Sequence, residues 1–186
     1  MSDVTLLVRS LMTEAEAAPW VTPEELSYAA TFGTDERRRE FLSWRAVVRQ
    51  ELRRDVQIAY NELGAPILVG RAEQISVSHA KDLLVVALST NRVGVDIERL
   101  DRRYQRILSK YLTPEEQQIS TDPHFPAAAW CAKEAIYKWA GIRELSFEEV
   151  RVLSFDGAHL TASVRGGEPV TLSIAYPDDE HILAYL

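Results

Sequence analysis

The sequence predicts an α+β protein built from two similar halves, each a long helix packed on a mainly antiparallel sheet, with the active site in the cleft between them. Two long stretches carry apolar residues at helical spacing, one beginning at Thr34-Asp35-Glu36 and one running from Pro126 to Gly141. Each is followed by short strand-like runs separated by turn residues. The order of elements therefore recurs, once before residue 91 and once after it, although no clear sequence repeat accompanies it. Residues 1–91 are expected to form the N-terminal half and residues 92–186 the C-terminal half, related by a pseudo-twofold axis.

In chain order, Val4 to Leu11 reads as a first strand, and Pro19 and Pro23 punctuate the loop and short helix that follow. Thr34 caps the first long helix, in which Phe41, Leu42, Trp44, Val47, Val48 and Leu52 make the apolar stripe. That helix also carries Arg37, Arg38, Arg39, Arg45, Arg49, Arg53 and Arg54, a local basic face or a solvated surface balanced by Glu36, Glu40 and Glu51. Ile58-Ala59-Tyr60 and Pro66-Ile67-Leu68-Val69 flank a turn at Asn61 to Gly64. Ile75 to Ser78 alternates as a half-buried strand, breaks at His79-Ala80-Lys81-Asp82, and resumes as Leu83 to Leu88, a hairpin with His79 at its corner. Thr113-Pro114-Glu115-Glu116 reads as a helix start. Four antiparallel strands are expected at Glu149–Leu153, His159–Val164, Pro169–Ile174 and His181–Leu186, with turns at Asp156-Gly157, Gly166-Gly167 and Pro177-Asp178-Asp179.

Composition narrows the function. The chain is 46% hydrophobic and 26% charged, ordinary for a globular protein, and carries a formal charge of -7 that repels nucleic acid and anionic membranes. Its single cysteine, Cys131, rules out an internal disulfide and a thiolate metal cluster. Met1-Ser2-Asp3-Val4-Thr5 has no basic leader, and no stretch approaches the ~20 apolar residues of a membrane span. The expected location is the cytoplasm.

The stretch richest in chemistry is Trp130-Cys131-Ala132-Lys133-Glu134-Ala135-Ile136-Tyr137-Lys138-Trp139. At helical spacing Ala132, Ala135, Ile136 and Trp139 face a core, while Trp130, Glu134, Tyr137 and Lys138 share the other side. On its own this is satisfied by an exposed Glu134–Lys138 pair. The strand Val93-Gly94-Val95-Asp96-Ile97-Glu98 alters that reading. Its aliphatic residues point one way, and Gly94, Asp96 and Glu98 point the other, with the two acids about 7 Å apart and Gly94 leaving room for something bulky. Paired carboxylates beside a core are costly unless a cation lies between them. With Glu134 they make an oxygen-only donor set that suits Mg2+ or Mn2+ completed by water and a substrate phosphate, and so points to phosphoryl chemistry.

These stretches, together with Ile75-Ser76-Val77-Ser78-His79, resemble the three ordered motifs of the 4'-phosphopantetheinyl transferase superfamily, over about Arg37 to Gly141. Length and doubled element order resemble its pseudodimeric, surfactin-synthetase-activating type. The resemblance implies Asp96, Glu98 and Glu134 as metal ligands and coenzyme A as co-substrate. His79 would meet one of its phosphates, Ser78 its nucleotide portion, and Arg39 its 3'-phosphate, with Arg38 and Arg45 as alternatives. Lys138 would contact the pyrophosphate or assist the leaving group, and Glu116 falls in the family's short acidic motif, where capping already gives it a role. The family's Gly-Lys-Pro turn is Gly64-Ala65-Pro66 here, which removes a cation that Arg71 or Lys81 could replace.

The activity so implied is transfer of the 4'-phosphopantetheine arm to a serine of an apo acyl or peptidyl carrier protein, with release of 3',5'-ADP. Glu134 and Lys138 would be the catalytic pair, and Arg102, Arg103, Arg106, Lys110 and Tyr111 the acidic carrier's docking surface. Another divalent-metal phosphotransferase or hydrolase, and a non-catalytic coenzyme A- or carrier-binding homologue, use the same residues and stay open. A monomer is expected, with a weak dimer left open. Which carrier is modified, in fatty-acid or secondary-metabolite synthesis, is not written in these motifs.

Overall fold

The computed structural model describes residues 4–186, so Met1-Ser2-Asp3, part of the leader reading, lies outside the described residues. The chain divides into two compact units, residues 1–91 and residues 92–186. Both are α+β, with antiparallel sheets.

In the first unit β1 (Thr5–Ser10) pairs antiparallel with β5 (Leu83–Ser89), which pairs in turn with β4 (Gln74–Ala80). β2 (Ile58–Tyr60) and β3 (Pro66–Leu68) form a separate hairpin. Two short helices, α1 (Glu14–Ala17) and α2 (Pro23–Ala29), precede the long α3 (Asp35–Glu51). Threonine opens all three: the hydroxyls of Thr13, Thr22 and Thr34 accept the backbone N–H of Glu16, Glu25 and Arg37. Trp44, Val47 and Val48 of α3 pack with Leu7, Leu84, Val86 and Leu88 of the sheet.

The second unit is one five-stranded sheet in the order β6-β10-β9-β8-β7, with α4 (Phe125–Ala140) lying on β6 (Val95–Arg99) and β10 (His181–Tyr185). The others are β7 (Val150–Phe155), β8 (His159–Val164) and β9 (Val170–Asp178). Ala128, Ala132, Ala135 and Ile136 of α4 enter a core shared with Leu160, Leu172, Ile182 and Ala184. The alanines on that face let the helix lie close to the strands. Gly141, at φ 58, stops it in the left-handed conformation glycine adopts without strain. In both units the first strand pairs antiparallel with the last.

Three local expectations change. β4 runs on through His79 and Ala80, which pair with Leu84 and Leu83, and the corner is Lys81-Asp82 with Lys81 at φ 55. His79 is thus a strand residue held by a ladder, because both hairpin arms keep their register to the tip. β9 likewise continues through Pro177, whose missing N–H falls at the register shift between His181 and Leu183. The Thr113 cap forms, Thr113 and Glu116 exchanging bonds of 2.7 and 3.3 Å, but only a single 3-10 turn (Glu116–Gln118) follows. The Glu116 carboxylate turns inward, accepting from Val152 N at 2.7 Å and from the Lys133 ammonium at 3.0 Å.

Candidate active site

The site is built where α4 crosses β6. Gly94, Asp96 and Glu98 face the helix, as alternation requires, but the room Gly94 leaves is already filled. A Cβ there would lie 2.2 Å from the Ala135 carbonyl oxygen and 2.7 Å from Trp139 Cβ. The bulky object expected beside Gly94 is the helix backbone itself, drawn in so that the next two residues on that face meet the side chains of α4.

Asp96 is buried, and its Oδ1 accepts from Lys138 Nζ at 2.8 Å, while the same ammonium donates to the Val95 carbonyl at 2.9 Å. Lys138 therefore reaches across to the strand, and its hydrogen bonds bridge helix and sheet. Glu98, at the strand's half-buried end, accepts at Oε1 from Trp130 Nε1 at 2.8 Å and at both oxygens from Arg102 Nη1, at 2.7 and 2.6 Å. Trp130 is held edge-on between Tyr111 and Phe147, which explains a large aromatic on the polar side of α4. Glu134 is half-buried and borders a recess with Tyr137, Leu145, Ser146 and Phe147. Burial first, and then the negative charge of Asp96, push its carboxyl above the ordinary 4.5; Lys138 opposes them and Glu98 adds to them.

Asp96 and Glu98 thus act electrostatically on Glu134, and Lys138 and Arg102 offset them. Among the described residues no three His, Cys, Asp or Glu side chains are gathered closely enough to hold a metal ion as they stand. The donor chemistry nonetheless fits Mg2+ or Mn2+: hard oxygens only, an accumulated negative charge felt at Glu134, and neighbouring cations already drawn to it.

The basic residues of α3 behave differently from a phosphate-facing patch. Arg45 is buried, donates to the Phe41 carbonyl and the Tyr60 hydroxyl, and lies 3.4 Å over the Phe41 ring. Arg49, also buried, grips Glu25 through bonds of 2.7 and 2.9 Å. Arg45 Nε faces the same carboxylate at 3.4 Å without the alignment of a hydrogen bond. These two are structural cations that tie α3 to α2. Arg39 donates to the carbonyls of Leu11 and Met12, at 3.0 and 3.2 Å, and Arg38 to that of Phe32. Ser78 is buried in β4, Lys81 is exposed at the hairpin tip, and His79 Nδ1 lies 3.1 Å from Glu40. Arg71 pairs with Glu73.

Of the expected docking surface, Arg103, Arg106 and Lys110 are exposed on 3-10 turns, whereas Tyr111 is buried with its hydroxyl on the Pro126 carbonyl. Two partnerships escaped sequence reasoning. Arg102 lies past the end of β6, four residues after Glu98, a spacing that signals an ion pair only within a helix, and no helix forms there. Lys133, which sequence reasoning placed on neither face of α4, is fully buried, held by Glu116 and the Phe147 carbonyl.

A helix and a strand of this unit thus carry Glu134 and Lys138 opposite Asp96 and Glu98, with Lys138 bonded to Asp96 and Glu134 feeling the charge of both other acids. The model of the 4'-phosphopantetheinyl transferase superfamily matches residues 92–186, the whole of this unit and half of the chain, and the protein belongs to that superfamily. It is a transferase of the phosphopantetheinyl type. Comparison with curated proteins gives no match. Among the described residues no helix is long and apolar enough to cross a membrane.

Proposed function

We propose that the protein transfers the 4'-phosphopantetheine arm of coenzyme A to a serine hydroxyl of an apo acyl or peptidyl carrier protein, releasing 3',5'-ADP. What supports this reading is the Lys138–Asp96 ion pair and the charge of Asp96 and Glu98 felt at Glu134, within the unit that matches the superfamily. Asp96, Glu98 and Glu134 would hold Mg2+ or Mn2+, which when bound offsets the charge developing on the pyrophosphate.

The chain's own residues supply the rest. Glu134 takes the serine proton, directly or through water, and burial and the charge of Asp96 raise its affinity for that proton. The serine oxygen bonds to the β-phosphorus, the bond from that phosphorus to the bridging oxygen breaks, and the negative charge leaves with 3',5'-ADP. Lys138, 28% exposed, is accessible enough to turn its ammonium to the departing phosphate. His79, Ser78, Lys81 and Arg39 are assigned to coenzyme A on the resemblance of their motifs. Arg39 does so only by sharing donors that now serve the Leu11 and Met12 carbonyls.

The test is intact-mass spectrometry of a panel of apo carrier proteins incubated with the protein, coenzyme A and Mg2+. Gain of the phosphopantetheine mass on one or more carriers, lost with a chelator, is the expected outcome. Pantetheine phosphate appearing free in solution with no carrier loaded would move the site to a hydrolase.

A further inference from the structure

Asp96 and Glu98, two of the proposed cation ligands, are engaged by cations of the chain itself, and Glu98 is taken by a residue outside the expected constellation. Arg102 Nη1 lies 2.7 and 2.6 Å from the two Glu98 oxygens, and its guanidinium is 5.6 Å from the Tyr104 ring and 5.5 Å from the Trp130 ring. The guanidinium and the rings beside it differ in freedom to move. Trp130 is wedged between Tyr111 and Phe147, and Tyr104 is buried with its hydroxyl on the Arg99 carbonyl. Arg102 has a side chain 48% exposed and extends from a turn that opens to solvent. Its head can leave for water, where the half-exposed guanidinium is readily solvated, although the Glu98 side chain is only 15% exposed. The indole N–H meanwhile keeps Glu98 aimed.

We infer that Arg102 is a displaceable counter-ion for Glu98, holding that carboxylate while no divalent cation is bound and competing with the cation for it. The inference rests on the proposed function, because it takes Glu98 to be a ligand. It follows from geometry and charge: Arg102 donates to both Glu98 oxygens, the ones a cation would use. A guanidinium beside a divalent ion is also a like charge, so the two states exclude one another. Arg102 thereby sets how much free cation is needed to assemble the site and keeps Glu98 from lying uncompensated beside Asp96 and Glu134.

The experiment is Mn2+ titration of the full chain, without coenzyme A, followed by the electron paramagnetic resonance of free Mn2+. Wild type, Arg102→Gln, Glu98→Gln and Arg103→Gln are compared, with thermal melts confirming that each is folded. Arg103 is exposed on the neighbouring turn and serves as the charge-matched control. Removal of one positive charge a few ångströms from a divalent ion, together with loss of the competing pair, should tighten binding about tenfold in Arg102→Gln. Arg103→Gln should leave it within about twofold. Weakened binding in Glu98→Gln combined with no tightening in Arg102→Gln overturns the counter-ion role and leaves the metal reading standing. Equal tightening in Arg102→Gln and Arg103→Gln also overturns it, because net charge would then be the cause. Mn2+ binding that ignores Glu98→Gln takes down the ligand assignment and the inference with it.

Discussion

Replacement of Gly94 by alanine tests the contact on which the site depends. Gly94 is not among the positive-φ glycines, so an alanine adopts its backbone without strain and the effect is purely one of space. The added methyl would stand 2.2 Å from the Ala135 carbonyl oxygen, where 3.0 Å is the least that real structures tolerate. Helix α4 must therefore move from β6 by about 0.8 Å, since the two contacts under that limit, Ala135 O and Trp139 Cβ at 2.7 Å, are part of the helix backbone or fixed directly to it. The Lys138–Asp96 bond, 2.8 Å now, would stretch to about 3.6 Å and cease to be a hydrogen bond. Overpacking and loss of a bond between charged groups together should cost roughly 2–4 kcal/mol, a large share of a typical domain's 5–15. Urea unfolding at pH 7, followed by tryptophan fluorescence and by circular dichroism, reads this directly. A Gly94→Ala variant whose midpoint matches that of wild type, or whose stability changes by less than about 0.5 kcal/mol, would show that helix and strand are not in the contact described.

Four further outcomes follow from the same geometry. Glu134→Gln should lower turnover by about 10²- to 10⁴-fold in the carrier-loading assay with the fold intact, and full activity would remove Glu134 from the mechanism. Stability without metal gives a second readout of Glu134. Its folded carboxyl binds protons more tightly than its unfolded one, so it costs stability as pH rises from 4.5 through its folded value, and Gln should remove that pH-dependent cost in urea titrations. Lys133→Ala should cost about 3–5 kcal/mol by urea unfolding, because it strands the buried Glu116 carboxylate. In the first unit, burial acts to raise the Glu25 carboxyl, yet the Arg49 bonds and the Thr22 N–H hold it below 4.5. Its contribution is present above that pH and lost as pH falls, so Glu25→Gln should narrow the difference in stability between pH 7 and pH 3.

Much of the architecture was legible in the residues. Threonine caps, the apolar stripes of α3 and α4 and the glycine stop at Gly141 are local signals, decided within a few residues, and the structure places those elements as expected. That Gly94, Asp96 and Glu98 share one face was equally readable, because alternation in a strand is a property of its backbone. Boundaries failed where a ladder overruled local chemistry, at His79-Ala80 and at Pro177-Asp178.

The sequence by itself determined which side chains are available and which face of each element bears them, since helix and strand periods follow from backbone geometry. Only the tertiary structure decided what those side chains meet. Gly94 reads as room for something bulky and proves to be a helix seat; Arg45 and Arg49 read as a basic face or a solvated surface and prove to be buried and paired, as does Lys133. Arg102, four residues past Glu98 but outside any helix, closes on that acid. Charge partnership depends on distance through space, and distances between elements are set by how closely small residues let them pack.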